Sequence, residues 1–210
     1  MTTWSFFVGH RAEILGATWD HLILVAISMA VAIAVAIPLG MFVVHHRKLS
    51  SLAIGIAGVF QTIPSLALFG FLIPIPFIGG IGRRTAIIAL ILYALLPILS
   101  NTFVGLTGIE PAVLEAAEAM GMTAWQIMVR VRLPLALSVI LAGIRTATVI
   151  TIGVATIAAA IGAGGLGTFI FRGVAMVSDA VILAGAIPAA LLAILADVSL
   201  GLLERRLRIS

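Results

Sequence analysis

Residues 110–134, EPAVLEAAEAMGMTAWQIMVRVRLP, form a polar stretch between two apolar runs, each long enough to cross a lipid bilayer. Pro111 suits the first turn of a helix, where the N–H that proline lacks would have no partner within the helix. Gly121 suits the position just past a helix end, because glycine adopts positive φ without strain. This half of the stretch therefore predicts a helix from about residue 111 to residue 120.

The second half of the stretch predicts another helix. Thr123 and Gln126 have the spacing of a capping box, in which each side chain accepts a hydrogen bond from the other residue's backbone N–H. We expect this helix to end before Pro134, because a proline inside a helix removes a backbone hydrogen bond. Helices of about ten residues are marginal in water on their own. Both therefore need a partner, which is either the rest of this chain or a separate protein.

The composition identifies an integral membrane protein. Of the 210 residues, 62% are hydrophobic and only 10% are charged, which is too apolar for a soluble domain of this size. The twelve Lys and Arg residues are scattered between apolar runs, so we expect no nucleic-acid partner and a membrane-lipid environment instead. With no cysteine, and four histidines that lack acidic companions at ligand spacing, no metal site is predicted.

The apolar runs predict an all-α membrane protein made of one domain, residues 1–210. The second run is interrupted around Pro64, and a proline within a span frees a backbone carbonyl that must face protein or a water-filled cavity. We weigh a structural kink equally against a place on a transport pathway. The predicted spans, on either side of the loop at 110–134, are 22–44, 49–73, 85–103, 135–160 and 181–203.

Basic residues predict the orientation of these five spans. If the loop at 110–134 is cytoplasmic, seven basic residues lie inside, four lie outside, and Arg145 lies within a span. This excess agrees with the positive-inside rule, so we expect the amino terminus outside and the carboxyl terminus in the cytoplasm. The inside residues are Arg47, Lys48, Arg130, Arg132, Arg205, Arg206 and Arg208, and the outside ones are Arg11, Arg83, Arg84 and Arg172.

Two nucleotide-binding motifs can be excluded. Residues 162–167, GAGGLG, match the dinucleotide signature, but they follow a membrane span instead of a strand, so a tightly packed external turn is the better interpretation. A phosphate-binding loop requires a Gly-Lys pair, and the single lysine, Lys48, follows Arg47. No serine or threonine has a His or acidic partner at suggestive spacing. We therefore expect no catalytic residue and no cofactor in this chain.

Two ionisable residues lie within predicted spans. Arg145 and Asp197 both lie towards the cytoplasmic half, and we favour extension of each side chain to the membrane surface over mutual pairing. Thr148 and Thr151 share a helix face. Threonines in such a stripe more often hydrogen-bond to their own helix or to a neighbouring one than line a passage. Polarity and position alone make six residues candidates for a transport passage: Gln61, Ser65, Tyr93, Asn101, Thr148 and Thr151.

The polar stretch resembles a known loop. Glu115-Ala116-Ala117, then Gly121, then Val131-Arg132-Leu133-Pro134 is similar to the EAA loop of the membrane subunits of bacterial ABC importers, with Val131 in place of Ile. The resemblance implies the type I importer permease fold and a cytoplasmic coupling helix that docks into a separate ATP-binding subunit. The docking residues it implies are Glu115, Ala116, Ala117, Met120, Gly121, Thr123 and Trp125.

The resemblance extends over nearly the whole chain. Residues 61–67, 94–98, 142–148 and 161–173 are similar to the permeases of osmoprotectant importers, which pass glycine betaine, choline or carnitine. It implies a multi-pass protein of the bacterial cell membrane that works by alternating access. It also implies a second permease copy or a homologous permease, an ATP-binding subunit and an external substrate-binding protein.

Three alternatives stay open at this point. The methionine importer permease has the same five-span plan, so methionine or another amino-acid-like solute competes with the osmoprotectants. An ion-coupled secondary transporter predicts carboxylates or broken helices in paired halves of the chain, and here only Asp197 and the kinks at Pro64 and Pro188 qualify. A membrane scaffold without transport activity is the third alternative.

Overall fold

The computed structural model describes residues 3–207. Arg208, one of the basic residues counted above, lies outside this range. Within this range the secondary structure is entirely helical. The helices are α1 (Thr3–Gly9), α2 (Arg11–Val43), α3 (Arg47–Thr62), α4 (Ser65–Leu72), α5 (Arg83–Thr107), α6 (Pro111–Ala119), α7 (Ala124–Ile127), α8 (Leu133–Ile157), α9 (Gly167–Ala175) and α10 (Asp179–Arg206).

Four helical stretches are long and apolar enough to cross a membrane, and a bent pair makes a fifth. The four are Arg11–Val43, Arg83–Thr107, Ala124–Ile161 and Asp179–Arg206. The first begins eleven residues before the predicted span at 22–44, because its opening turns are amphipathic and the apolar run marks only the part beyond them. All these helices extend beyond the apolar run used to predict them.

The bent pair, α3 and α4, is one broken span. The two helices meet at an angle of 101° around Ile63 and Pro64. At the start of α3, His46 lines a cleft with Trp125 of α7, whereas the start of α5 is held at the other end of the bundle by an ion pair between Arg83 and Asp20. These two ends are separated by most of α2, about 35 Å at 1.5 Å per residue. The chain therefore crosses the bundle between residues 47 and 83.

The prediction that the second loop helix ends before Pro134 is wrong. α7 continues into α8 through a π-helical turn, Met128–Arg132, so that one helical path runs from Ala124 to Ile161. The Leu133 N–H bonds to the carbonyl of Met128, five residues back, and this wider turn shifts the hydrogen-bond register. Pro134 then falls at the start of the next α-helical segment, where no N–H is required.

α5 is the centre of the bundle, packed against α2, α3 and α8. Small residues allow close helix approach: a Cβ atom built on Gly143 would lie 2.6 Å from Asn101 Cβ and 2.7 Å from the Pro97 carbonyl oxygen. Leu90 and Ile98 are fully buried in the same core. The contact between α5 and α8 thus depends on the absence of a side chain at a few positions.

The glycine-rich turn predicted at residues 162–167 forms just before α9. Gly162, Gly164 and Gly165 have positive φ and form the turn, and α9 then takes up the chain from Gly167 onwards. The turn lies close against α2, since a Cβ on Gly165 would be 3.1 Å from Nδ1 of His21. The tight packing expected for this turn is confirmed.

Candidate functional site

The polar segment, residues 110–134, is built from two capped helices. α6 ends at Ala119, Gly121 follows with φ +77°, and the Gly121 N–H donates to the Glu118 carbonyl at 2.9 Å. The capping box at the start of α7 is complete: the Gln126 N–H donates to Thr123 Oγ1 at 3.3 Å, and the Thr123 N–H donates to Gln126 Oε1 at 2.8 Å. The helix end at Gly121 and the capping box of Thr123 and Gln126 are confirmed.

The polar segment exposes large apolar side chains beside polar and charged ones. Met120 is 74% exposed and Trp125 is 69% exposed. Glu115, Ala116, Gly121 and Thr123 are exposed as well, whereas Ala117 is buried at 2% and packs beneath them. Exposed apolar residues of this size within a polar rim are typical of a surface that contacts another protein.

A cleft of about 590 Å³ adjoins this surface. It separates the end of α2 from α7 and is mainly apolar, with two histidines at its rim. The cleft continues the exposed surface of Trp125 towards the bundle. Its lining residues are Pro38, Met41, Phe42, His45, His46, Ala124, Trp125 and Met128.

The passage candidates fall into two groups, of which the first lies at the break between α3 and α4. The hydroxyl of Tyr93, a residue that is 5% exposed, donates to the Ile63 carbonyl, one of the backbone groups freed by the break. Gln61 and Ser65 lie on either side of the break and are half-buried, and their side chains have no hydrogen-bond partner among residues 3–207. The structure brings these three residues into the same region.

The second group uses its polar atoms within the bundle. Asn101 Nδ2 donates to the Pro97 carbonyl at 2.8 Å, and Thr148 Oγ1 donates to the Ile144 carbonyl at 2.7 Å, both within the same helix. Thr151 is fully buried and its hydroxyl lies 3.6 Å from the Met29 sulfur. The polar atoms of these residues are therefore engaged by contacts within or between the helices of the bundle.

Arg145 and Asp197 pair, so the preference for extension to the membrane surface over mutual pairing is wrong. Arg145 Nε lies 2.6 Å from Asp197 Oδ1, Nη2 lies 2.8 Å from Oδ2, and Nη1 lies 3.4 Å from Glu204 Oε2. Gly201 leaves room for the guanidinium, because a Cβ there would be 3.0 Å from Nη1. The missed signal is the spacing of Asp197, Gly201 and Glu204, which places all three on one face of α10.

The opposite end of the bundle carries a second polar group that the sequence did not indicate. Asp20 pairs with Arg83 at 2.5 Å beside the glycine-rich turn. The next residue, His21, is fully buried, and its Nε2 lies 3.2 Å from the Ile152 carbonyl of α8. These contacts tie α2 to α5 and α8 at this end.

Comparison with known proteins assigns these features to a family of transporters. The family described as "Binding-protein-dependent transport system inner membrane component" matches residues 32–209. The carnitine transport permease protein OpuCD of Listeria monocytogenes is 50% identical over 204 residues, covering 97% of this chain and 90% of the relative. The glycine betaine/carnitine/choline transport system permease protein OpuCD of Bacillus subtilis is 47% identical, covering 97% of this chain and 88% of the relative.

A solved structure shows the same fold at low sequence identity. A chain from the inward-facing MetNI methionine ABC transporter superposes with a TM-score of 0.82 and covers 95% of this chain, while 98% of that chain is covered in turn. The two sequences are 22% identical. The two chains therefore share a fold.

Proposed function

We propose, from the premise that this chain belongs to the family of binding-protein-dependent transport system inner membrane components, that it is the permease of an ATP-driven importer of quaternary-amine osmoprotectants. The observation that carries the solute class is the 50% and 47% identity, over 97% of the chain, to permeases named for carnitine and for glycine betaine, carnitine and choline. An ion-coupled mechanism is less well supported, because the carboxylate of Asp197 within a span is already paired with Arg145.

The proposed importer has three kinds of part. Two permeases, identical or homologous, form the passage, each as a single domain over residues 1–210 with the amino terminus outside and the carboxyl terminus in the cytoplasm. Separate ATP-binding subunits hydrolyse ATP, and an external binding protein delivers the solute. Closure of the ATP-binding subunits moves the polar segment, and the spans then reorient around the passage by alternating access.

The ATP-binding subunit docks on the polar segment in this proposal. The support is the exposed pair Met120 and Trp125, held in place by the capping box of α7 and by the left-handed turn at Gly121. Glu115, Ala116 and Thr123 complete the exposed surface, and buried Ala117 supports it from below. Rigid helical presentation of aromatic and Met side chains is typical of interface centres.

Affinity capture of the ATP-binding subunit by the tagged permease tests this docking. We expect Glu115→Lys and Gly121→Trp to abolish capture, because the first reverses a charge on the docking surface and the second adds a bulky side chain where φ is +77°. Glu13→Lys is the matched control, since Glu13 is an exposed carboxylate on α2 near the other end of the bundle. Capture that survives both loop substitutions would contradict the docking proposal.

The solute passes, in our proposal, beside the break between α3 and α4. The side chains of Gln61 and Ser65 have no hydrogen-bond partner there within the described part of the chain, so they are the candidates for contact with a solute. Tyr93, Asn101, Thr148 and Thr151 shape the walls, because their polar atoms are already engaged. An uncharged passage suits a quaternary ammonium, which binds through aromatic and polar contacts.

Uptake of labelled solutes by cells with and without the gene tests the solute class. We expect loss of glycine betaine, choline or carnitine uptake in the cells without the gene, and its return when the gene is supplied again. Methionine uptake serves as the comparison, because the methionine transporter has the same fold. Loss of methionine uptake alone would replace the proposed solute class and leave the permease assignment standing.

A further inference from the structure

Arg145, Asp197 and Glu204 form a charged cluster that joins α8 to α10. The two bonds of 2.6 and 2.8 Å from the guanidinium to Asp197 are bidentate, a geometry that fixes orientation as well as distance. Glu204 offers a second acceptor at 3.4 Å from Nη1. The one guanidinium thus contacts two carboxylates on the same helix.

The cluster is open on one side. The side chains of Arg145, Asp197 and Glu204 are 35%, 42% and 30% exposed. Ionised groups within membrane spans face the bundle interior or water because exposure to lipid chains is costly. The open side therefore faces water or another protein surface in the assembled transporter.

Gly201 lies between the two carboxylates and provides a groove along α10. A Cβ at this position would be 3.0 Å from Arg145 Nη1, so any larger residue would displace the guanidinium. Asp197 and Glu204 are seven residues apart, which places them on one stripe of the helix. Arg145 therefore contacts acceptors that lie about two turns apart on α10.

The cluster lies on a continuous series of helix contacts that runs from the polar segment to the outer end of the bundle, where the glycine-rich turn lies. α7, the π-helical turn and α8 form one helical path from Ala124 to Ile161, so a movement of α7 moves α8. Beyond the cluster, α10 packs closely on the glycine-rich turn and on α9. A Cβ on Gly185 would lie 2.5 Å from the Leu166 carbonyl oxygen, and a Cβ on Gly173 would lie 2.5 Å from the Ile182 nitrogen.

We propose that the Arg145–Asp197–Glu204 cluster transmits movement of the polar segment from α8 to α10. Asp197 holds the guanidinium in the state described here, and Glu204 is the acceptor that keeps it paired when the two helices shift. Arg145 and Asp197 are positioning residues in this inference, which rests on the proposed function. Loss of the pair disconnects ATP hydrolysis from movement of the outer end.

The test is the ratio of solute uptake to ATP hydrolysis in vesicles that contain permease, ATP-binding subunit and binding protein loaded with labelled carnitine or glycine betaine. We expect Asp197→Asn to assemble and hydrolyse ATP while the ratio falls at least about tenfold, which equals about 1.4 kcal/mol of barrier. The charge exchange Arg145→Asp with Asp197→Arg should restore part of the ratio. Glu204→Gln should give a smaller loss, because the bidentate pair remains.

Asp20→Asn is the matched control, since it breaks an ion pair of similar exposure at the other end of the bundle. It should leave the ratio within about twofold of the unaltered protein. An equal fall in Asp20→Asn and Asp197→Asn, or no fall in either, would overturn the inference. If Asp197→Asn does not assemble, Arg145→Lys is used instead, because lysine keeps the positive charge and cannot form the bidentate bond to Asp197. An unchanged ratio in that variant would also overturn the inference.

Failure of the inference and failure of the proposed function give different results in the same vesicles. No uptake of any quaternary amine by the unaltered complex contradicts the proposed function. Normal uptake by the unaltered complex, with an unchanged ratio in the cluster variants, contradicts only the transmission role.

Discussion

At the scale of single residues, Gly143 sets how closely α5 and α8 approach. A Cβ at this position would lie 2.6 Å from Asn101 Cβ, inside the contact distance of two carbon atoms. We predict that Gly143→Ala destabilises the purified protein by about 1–3 kcal/mol, the usual cost of overpacking. Thermal unfolding in detergent measures this.

Gly153→Ala in the same helix is the control for this prediction. Nothing lies within 4 Å of a Cβ at position 153, so alanine should leave the midpoint unchanged or raise it slightly through its higher helix propensity. Equal midpoints for the two variants would show that the close contact between α5 and α8 is not required.

Tyr93 stabilises the break between α3 and α4 through one hydrogen bond. Tyr93→Phe removes the hydroxyl that donates to the Ile63 carbonyl and leaves that acceptor without its partner. We predict a loss of about 1–3 kcal/mol of stability, the cost of an unsatisfied buried acceptor. Thermal unfolding of the variant measures the loss, and a midpoint equal to that of the unaltered protein would show that water or another group satisfies the carbonyl.

The sequence reveals which residues are unusual but not which partners they find. Arg145 and Asp197 stand out as ionisable residues inside apolar runs, yet they are 52 residues apart and no local pattern connects them. Their pairing depends on how α8 and α10 pack, and on Gly201, which leaves room for the guanidinium. Ala117 shows the same limit, because its motif predicted a docking residue, whereas the structure buries it within this chain.

At the scale of elements, the capping box fixes the start of α7. Thr123→Ala removes the side-chain acceptor for the Gln126 N–H, at a cost of about 0.5–2 kcal/mol of helix stability. We predict that the variant inserts normally and binds the ATP-binding subunit several-fold more weakly, because α7 must be ordered before it can dock. Titration of the purified permease with the ATP-binding subunit gives the two affinities.

Thr107→Ala controls for the loss of an exposed threonine hydroxyl. Thr107 ends α5, and its hydroxyl donates to the Phe103 carbonyl within that helix. Its replacement should leave the affinity unchanged. The account of α7 would be contradicted by equal affinities for the Thr123 variant and the unaltered protein.

Local signals predicted the helices well and their continuity poorly. Pro111, Gly121 and Thr123 act through neighbours four or fewer residues away, so the sequence is enough to place α6 and α7. Pro134 looked like a helix end by the same logic, and the π-helical turn before it removed the conflict. Pro64 predicted an interruption, but the angle of 101° is set by the packing of α4 on α5.

At the scale of the whole molecule, the bundle predicts which residues face each side of the membrane. The chain has no cysteine, so single cysteines can be introduced without background. Phe77 is 90% exposed in the turn before α5, and Met120 is 74% exposed in the polar segment. We predict that a membrane-impermeant thiol reagent labels Phe77→Cys in intact cells, and labels Met120→Cys only after the membrane is opened. Labelling in the reverse order would invert the proposed orientation.

The fold and the family together make this chain a multi-pass component of a binding-protein-dependent importer. The sequence predicted its five apolar runs and its type I permease fold, because hydrophobic runs of span length and the motif at residues 115–134 are local features. The passage residues are harder to predict, since side chains that meet in space come from several helices. Gln61 and Ser65 illustrate this, because polarity made them candidates from the sequence and the bend between α3 and α4 then places them beside Tyr93.

ATP-driven accumulation of labelled glycine betaine and carnitine in vesicles is the most direct test of the proposed import function. The vesicles contain this chain, its ATP-binding subunit and its binding protein, with and without ATP. We predict accumulation of at least one of the two solutes that requires ATP and is lost with Glu115→Lys, because that change prevents docking. Accumulation that needs no ATP, or none of either solute while ATP is hydrolysed, would contradict the central claim.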